Sequence, residues 1–307
     1  METTIETCEK HGMQYETAPR SFGGIGCCRE CRTENVERFL VKEYRDKEDS
    51  RLSRMKWLNI EPMYYDSTLS SYIATTPEQE KAAAAIGNMI STGTGKIVML
   101  GKHGTGKTHL AVAVVRKLGG RILSMYEIGT RIRATYSHGA HEDELTVVDE
   151  LASLSMLAID EIGRTKGSDA EANWLSYIID KRHVRGLPLI LISNKHARKA
   201  CKSNGCADCL ENYISEDIMS RLREDGTMFT FSGDDYRVTK RAMPTPEVKD
   251  WKAEIHAKVV AQVDEECAED AKAIAEYKAE PEPPEGEPRC SFSGEFKKRL
   301  AAWGTGV

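Results

Sequence analysis

GKHGTGKTHL, residues 101–110, decides how the rest of the chain reads. It fits G-x-x-x-x-G-K-[ST], with the apolar run KIVMLG (96–101) leading into it and the helical HLAVAVVRKL following. A strand, a glycine loop and a helix in that order form a phosphate cradle. The glycines let backbone amides turn inward, and the helix N-terminus adds positive potential. Gly101, Lys102, His103, Gly104, Thr105, Gly106, Lys107, Thr108 and His109 are therefore the candidate nucleotide contacts. Lys107 is expected at the β- and γ-phosphates of ATP, and the Thr108 hydroxyl on Mg²⁺.

Around this loop, short apolar runs alternate with helical segments. GRILSMY (120–126), SMLAID (155–160), LPLILIS (187–193) and TMFTFS (227–232) join KIVMLG as strands buried on both faces. That alternation predicts an α/β core with crossover helices. EANWLSYIIDKRH (171–183) sets Trp174, Leu175, Ile178 and Ile179 at helical spacing, a core-packing stripe.

SMLAID ends in adjacent carboxylates. Asp160 is expected to hold Mg²⁺, and Glu161 to polarise the attacking water, which favours hydrolysis over simple nucleotide binding. LILISN places Asn194 at the C-terminal edge of a parallel strand, where ligands sit. The helix ISEDIMSRLRED carries Arg221 and Arg223; an arginine there could stabilise γ-phosphate charge on a neighbouring subunit, and a solvated basic helix face is the other reading.

Charge is uneven along the 307 residues. Residues 242–307 hold 9 Lys/Arg against 14 Asp/Glu and account for the whole net charge of −5. The balanced remainder excludes a globally basic nucleic-acid binder. Neither a secretion signal nor a run long enough to cross a bilayer is present, so the expected location is the cytoplasm and no membrane partner is expected.

Five regions follow: 1–35 a metal-binding module, 36–57 a linker helix, 58–241 the ATPase domain, 242–280 a charged helix, and 281–307 a flexible acidic linker with a C-terminal peptide. The last carries Phe296, Leu300 and Trp303 on one helical face. One helix after the core, rather than a bundle, predicts little or no helical lid.

Seven of the nine cysteines fall into two clusters, with Cys267 and Cys290 apart, and in a cytosolic chain clusters suggest metal before disulfides. Cys8-x2-His11 and Cys28-x2-Cys31 are two chelating pairs that can close a tetrahedron around Zn²⁺. Cys27 competes with Cys28 but leaves a longer spacing to Cys31. His196, Cys201, Cys206 and Cys209 form a second candidate zinc set, in which only Cys206-x2-Cys209 has a strong spacing. Reduced thiols in a surface loop are the other reading of that set.

GKHGTGKTHLA, LAIDEIG, LISN and SRLRED, in this order, resemble the AAA+ ATPases of the DnaC/DnaI type, the bacterial and phage replicative helicase loaders. LNIEPMYYDSTLSSY (58–72) is similar to that family's entry into the ATPase domain. The resemblance implies five parallel strands, ATP sites between self-associating subunits, Asn194 as the γ-phosphate sensor and Arg221 as the arginine finger. It also implies a nucleotide-proximal role for Arg237. Residues 126–152 look like the insertion with which loaders line a channel for single-stranded DNA, with Arg131, Arg133 and Tyr136 as contacts. A solvated basic turn reads equally well there. The zinc module would dock a hexameric replicative helicase.

Two rivals stay open. A transposition helper ATPase shares the phosphate loop and carboxylates, and a non-catalytic adaptor would use ATP only to switch a docking surface.

Overall fold

The computed structural model describes residues 3–18, 26–164, 169–198, 201, 206, 208–236 and 250–279, which fall into two compact units. Arg237 and the peptide with Phe296, Leu300 and Trp303 lie outside the described residues.

The first unit takes in the described residues up to Asp49 and from Asp250 onward. Strands β1 (Thr4–Thr7) and β2 (Gln14–Thr17) pair antiparallel. Helix α1 (Arg29–Trp57) begins seven residues before the expected linker, so Cys31 already sits in its first turn. The last helix, α8 (Trp251–Ala279), packs Ile255, Val259 and Val263 against Val36, Leu40 and Val41 of α1. Those spacings put each set on one helical face. The rings of Tyr44 and Trp251 stack at 4.8 Å. Acids of the charged helix meet basic partners here: Asp264 pairs with Arg29 and Asp270 with the buried Arg32.

The second unit runs from Ser50 and holds the sheet. Its strands are β3 (Lys96–Gly101), β4 (Arg121–Ser124), β5 (Leu157–Asp160), β6 (Leu189–Ser193) and β7 (Gly226–Phe231), one for each apolar run. All pairs are parallel, in the order β4-β5-β6-β3-β7. Alternation along β3 sends Ile97 and Met99 to one face, Val98 and Leu100 to the other. The first face is covered by α2 (Pro77–Thr92) and α3 (Lys107–Leu118). The second is covered by α4 (Met125–Ala134), α5 (Glu144–Ser153), α6 (Asp169–Val184) and α7 (Glu216–Glu224). Trp174, Leu175, Ile178 and Ile179 of α6 are buried in that second layer, as their spacing predicts. Five parallel strands with β6 inserted between β3 and β5 make a P-loop AAA+ core. Among the described residues no helical bundle follows β7.

One charged side chain inside this layer was not foreseen. Arg182 of α6 is fully buried, and its guanidinium donates to the carbonyls of Leu154 (2.7 Å), Ala152 (3.3 Å), Leu151 (3.4 Å) and Pro188. It ties the end of α5 to the turn before β6, and burial lowers its pKa to about 10. Arg182→Ala should cost about 3 kcal/mol by orphaning these carbonyls, read as a lower urea midpoint at unchanged slope.

Candidate functional site: an ATP pocket and two thiol clusters

The inserted strand builds the site. β3 ends in the phosphate loop and β5 ends in the carboxylates. β6, hydrogen-bonded to both, ends beside them, one residue before Asn194. All three functional ends share the C-terminal edge of the sheet, and Asn194 is half-buried between the other two.

The loop itself is tightly held. Gly101 has φ +122°, and a Cβ there would meet the Phe231 carbonyl oxygen at 2.1 Å. Lys107 is buried and folds back so that Nζ donates to the carbonyls of Gly101 (2.7 Å) and Lys102 (2.6 Å). Gly106 caps α3 in the left-handed region, its Cα edge against the Tyr72 ring.

Thr108 and Asp160 are joined directly. Thr108 Oγ1 donates to Asp160 Oδ2 at 2.7 Å, and the Glu161 amide donates to Oδ1 at 2.6 Å. Burial outweighs these donors and holds the Asp160 carboxyl above the usual carboxylate range. The folded chain therefore binds this proton more tightly than the unfolded one. Its contribution is favourable at low pH and becomes a cost as pH rises through the folded value. At neutral pH, Asp160→Asn should raise the melting temperature of the nucleotide-free protein by about 2–4 °C. Adding ATP and Mg²⁺ should stabilise the wild type by more than the variant, which loses a metal ligand but keeps the loop. Differential scanning fluorimetry reads both.

Glu161 is one of two described non-glycine residues with positive φ, at +58°. Such a backbone costs of order 1 kcal/mol or more and persists where the surroundings enforce it. Here the Asp160 carboxylate holds the Glu161 amide, and the next amide, Ile162, bonds the Ile192 carbonyl of β6 at 3.0 Å. Glu161 lines a cavity of about 410 Å³ together with Ser124, Met125, Tyr126 and Arg164, beside the phosphate loop's sheet edge but with no loop residue in its wall, and its carboxylate is paired with Arg164.

Several neighbours of the loop escaped the sequence reading. Buried Gln79 donates to the Thr105 carbonyl at 3.3 Å, and Tyr72 Oη reaches the same oxygen at 3.4 Å. Burial raises the Tyr72 phenol to about 12, so it stays a donor. His109 Nε2 lies 2.8 Å from the Thr68 carbonyl oxygen. From the other side, the Tyr236 amide bonds the Gly104 carbonyl at 2.9 Å, and the Asp235 carboxylate fills the space a Gly104 Cβ would need. Pro77 at the start of α2 and the Thr76–Gln79 capping box were the available signals for Gln79.

Arg221 projects from α7 and is paired with Asp180 of α6, its side chain about one-third exposed. The candidate DNA residues flank the α4–α5 turn. Arg131 is paired with Glu150 and, at 3.4 Å, with Glu142; Arg133 lies 4.0 Å from Glu171; and exposed Tyr136 donates to Glu144. Acids of the segment and Glu171 of α6 thus sit on its basic groups.

In the first unit, Cys8, His11, Cys28 and Cys31 converge, with ligand atoms within 4.8 Å of one another. His11 Nδ1 lies 3.5, 3.6 and 3.3 Å from the sulfurs of Cys8, Cys28 and Cys31. A tetrahedral zinc site with bonds of ~2.3 Å to sulfur and ~2.0 Å to nitrogen has S–N edges of ~3.5 Å, so the set fits that metal. His11 Nε2 meets Glu34 at 3.2 Å, the outer-shell carboxylate that fixes a ligating imidazole. Cys27 is exposed and accepts from Arg32 Nε at 3.2 Å, which leaves Cys28 in the cluster. Gly26 is required: with φ +108°, its Cβ would strike the Glu16 carbonyl oxygen at 2.3 Å. His196, Cys201, Cys206 and Cys209 converge in the same way in the second unit.

The family model for IstB-like ATP binding protein matches residues 31–243. The chain belongs to this ATP-binding family. The replicative helicase loader DnaC of Escherichia coli is 26% identical over 188 residues, 58% of this chain and 72% of that protein. An insertion-sequence ATP-binding protein of Geobacillus stearothermophilus is 26% identical over 159 residues, 50% of this chain and 60% of that protein. A crystal structure of the DnaC helicase loader aligns with 56% of this chain and all of its own at 23% identity and a TM-score of 0.46. ATP binding follows from family membership and from the loop built on Gly101–Thr108. Among the described residues, no helix is long and apolar enough to cross a membrane.

Proposed function

We propose that this protein hydrolyses ATP and uses the cycle to load a hexameric replicative helicase onto single-stranded DNA. The observation that carries hydrolysis is Glu161, held in a left-handed turn directly after Asp160, whose carboxylate accepts from Thr108 of the phosphate loop. A nucleotide-binding site that only switched a docking surface would have no need of that turn. Lys107 and the loop amides hold the phosphates, and Thr108 and Asp160 would hold Mg²⁺. The metal supplies neutralisation of β- and γ-phosphate charge. Glu161 takes the proton of the attacking water, and Asn194, between loop and carboxylates, orients that water. Arg237 is assigned to the same nucleotide.

Arg221 completes the site of an adjoining subunit, leaving Asp180 when subunits associate. Arg221→Ala should lower turnover by roughly 10³-fold, the scale of an arginine supplied in trans. Mixing it with Lys107→Ala, equally inactive alone, should restore part of the phosphate release. Two inactive proteins that stay inactive when mixed would place Arg221 outside a shared site.

The loader reading is supported by the match to DnaC across most of that protein and by a zinc-type cluster in a unit separate from the ATPase core. Cys8, His11, Cys28 and Cys31 would hold zinc, which supplies folding energy to a surface that grips the helicase. Arg131, Arg133 and Tyr136 contact DNA once their acidic partners are displaced. The location is the cytoplasm. A helicase-loading assay on single-stranded DNA coated with its binding protein tests the proposal: unwinding should require this chain and ATP, and unwinding that is indifferent to the chain would refute it. The IstB-like family model and the insertion-sequence relative favour one other reading, a transposition helper acting on a transposase.

A further inference from the structure

Two residues past Asn194 the chain enters a thiol-rich excursion, and the geometry there is that of a metal centre. Sulfurs of Cys206 and Cys209 both lie 3.5 Å from the same nitrogen, His196 Nε2. A neutral imidazole nitrogen has one lone pair and can satisfy one thiol, so two sulfurs at equal distance point to a shared centre. With zinc bonds of ~2.3 Å to sulfur and ~2.0 Å to nitrogen, the S–N edge of a tetrahedron is ~3.5 Å. Cys201 completes the set, all four ligand atoms lying within 4.8 Å of one another. The Asp208 amide points at Cys206 Sγ at 3.4 Å, a donor that would offset thiolate charge.

The surrounding backbone is built to hold this centre against the core. His196 and Cys209 are β-bridge partners. The His196 amide bonds the Asp208 carbonyl at 3.1 Å, and the Leu210 amide bonds the His196 carbonyl at 3.0 Å. Cys209 and Leu210 are buried, and Leu210 packs in the same apolar layer as Ile214, Ile218 and Leu222. The ligands thus sit between the end of β6, which carries Asn194, and the segment that leads into α7, which carries Arg221.

We propose that His196, Cys201, Cys206 and Cys209 bind a structural zinc ion that staples the end of β6 to the approach to α7, fixing α7 relative to the nucleotide edge of the sheet. The inference is independent of which macromolecule the ATPase acts on. Native mass spectrometry of the full chain should find two zinc ions per molecule. Cys206→Ser/Cys209→Ser should retain one, and Cys28→Ser/Cys31→Ser should likewise retain one.

A single ion in the wild type, lost only with Cys28 and Cys31, would overturn the proposal, as would a disulfide between Cys206 and Cys209. The wild type reloaded with cobalt gives a reading that needs no variant, because the tetrahedral absorption should titrate to two equivalents and not one. Hydrogen exchange tests the staple. In the Cys206→Ser/Cys209→Ser protein, residues 216–224 should exchange at least tenfold faster while α3 is unchanged. Loss of the ion with no change in α7 would reduce the site to a local loop clip and refute the fixing role.

Discussion

Glu161→Gln should leave ATP binding intact and lower turnover at least about 100-fold, the contribution expected of a positioned general base. Binding is carried by the loop amides, Lys107 and Thr108, whose side chains bond Gly101, Lys102 and Asp160. Glutamine preserves the side-chain volume and an oxygen for Arg164, but it cannot accept the proton of water. The left-handed turn is held by backbone bonds to Asp160 and from Ile162, so the geometry survives the substitution. Fluorescent-nucleotide titration and phosphate release read the two halves of the prediction. Turnover within threefold of the wild type would move the base elsewhere.

Cys28→Ser/Cys31→Ser should remove the first metal and unfold the N-terminal module while the nucleotide site persists. The module has little else to hold it. β1 is exposed at every position, and the buried apolar residues around the cluster are chiefly Cys8, Ala18 and Cys28. A segment this small cannot stabilise itself by burial, and a structural zinc site supplies on the order of 10 kcal/mol. Limited proteolysis should therefore cut within residues 3–31 of the variant and spare those of the wild type. Nucleotide affinity should stay within about twofold, since the phosphate loop belongs to the other unit. Helicase capture should fall to background.

Much of the fold could be read from residues because its signals are local. Five apolar runs became five strands, since strands buried on both faces need only be short and apolar. Gly101–Thr108 and Asp160–Glu161 were legible because phosphate and metal chemistry demands those residue types in a row. Cys8, His11, Cys28 and Cys31 were legible by spacing, and their convergence agrees with it. What stayed hidden depends on tertiary neighbours. Gln79 and Tyr72 brace Thr105 from more than 25 positions away, and no local pattern links them. No local pattern separates Arg182 from the other charges of α6, yet carbonyls at the end of α5 draw it inside. Glu34 becomes a partner of His11 only because α1 starts at Arg29 and brings it round one turn after Cys31. The basic face at Arg131 and Arg133 was visible, but the acids that pair with it arrive from α5 and α6.

We propose that ATP turnover serves a ring helicase. The most direct test uses the Glu161→Gln protein, loaded with ATP, as a trap in its native host, with bound proteins identified by mass spectrometry. Recovery of the hexameric replicative helicase, lost when Cys28 and Cys31 are changed to serine, is the predicted result. Recovery of a transposase with no helicase would contradict it and assign the chain to transposition.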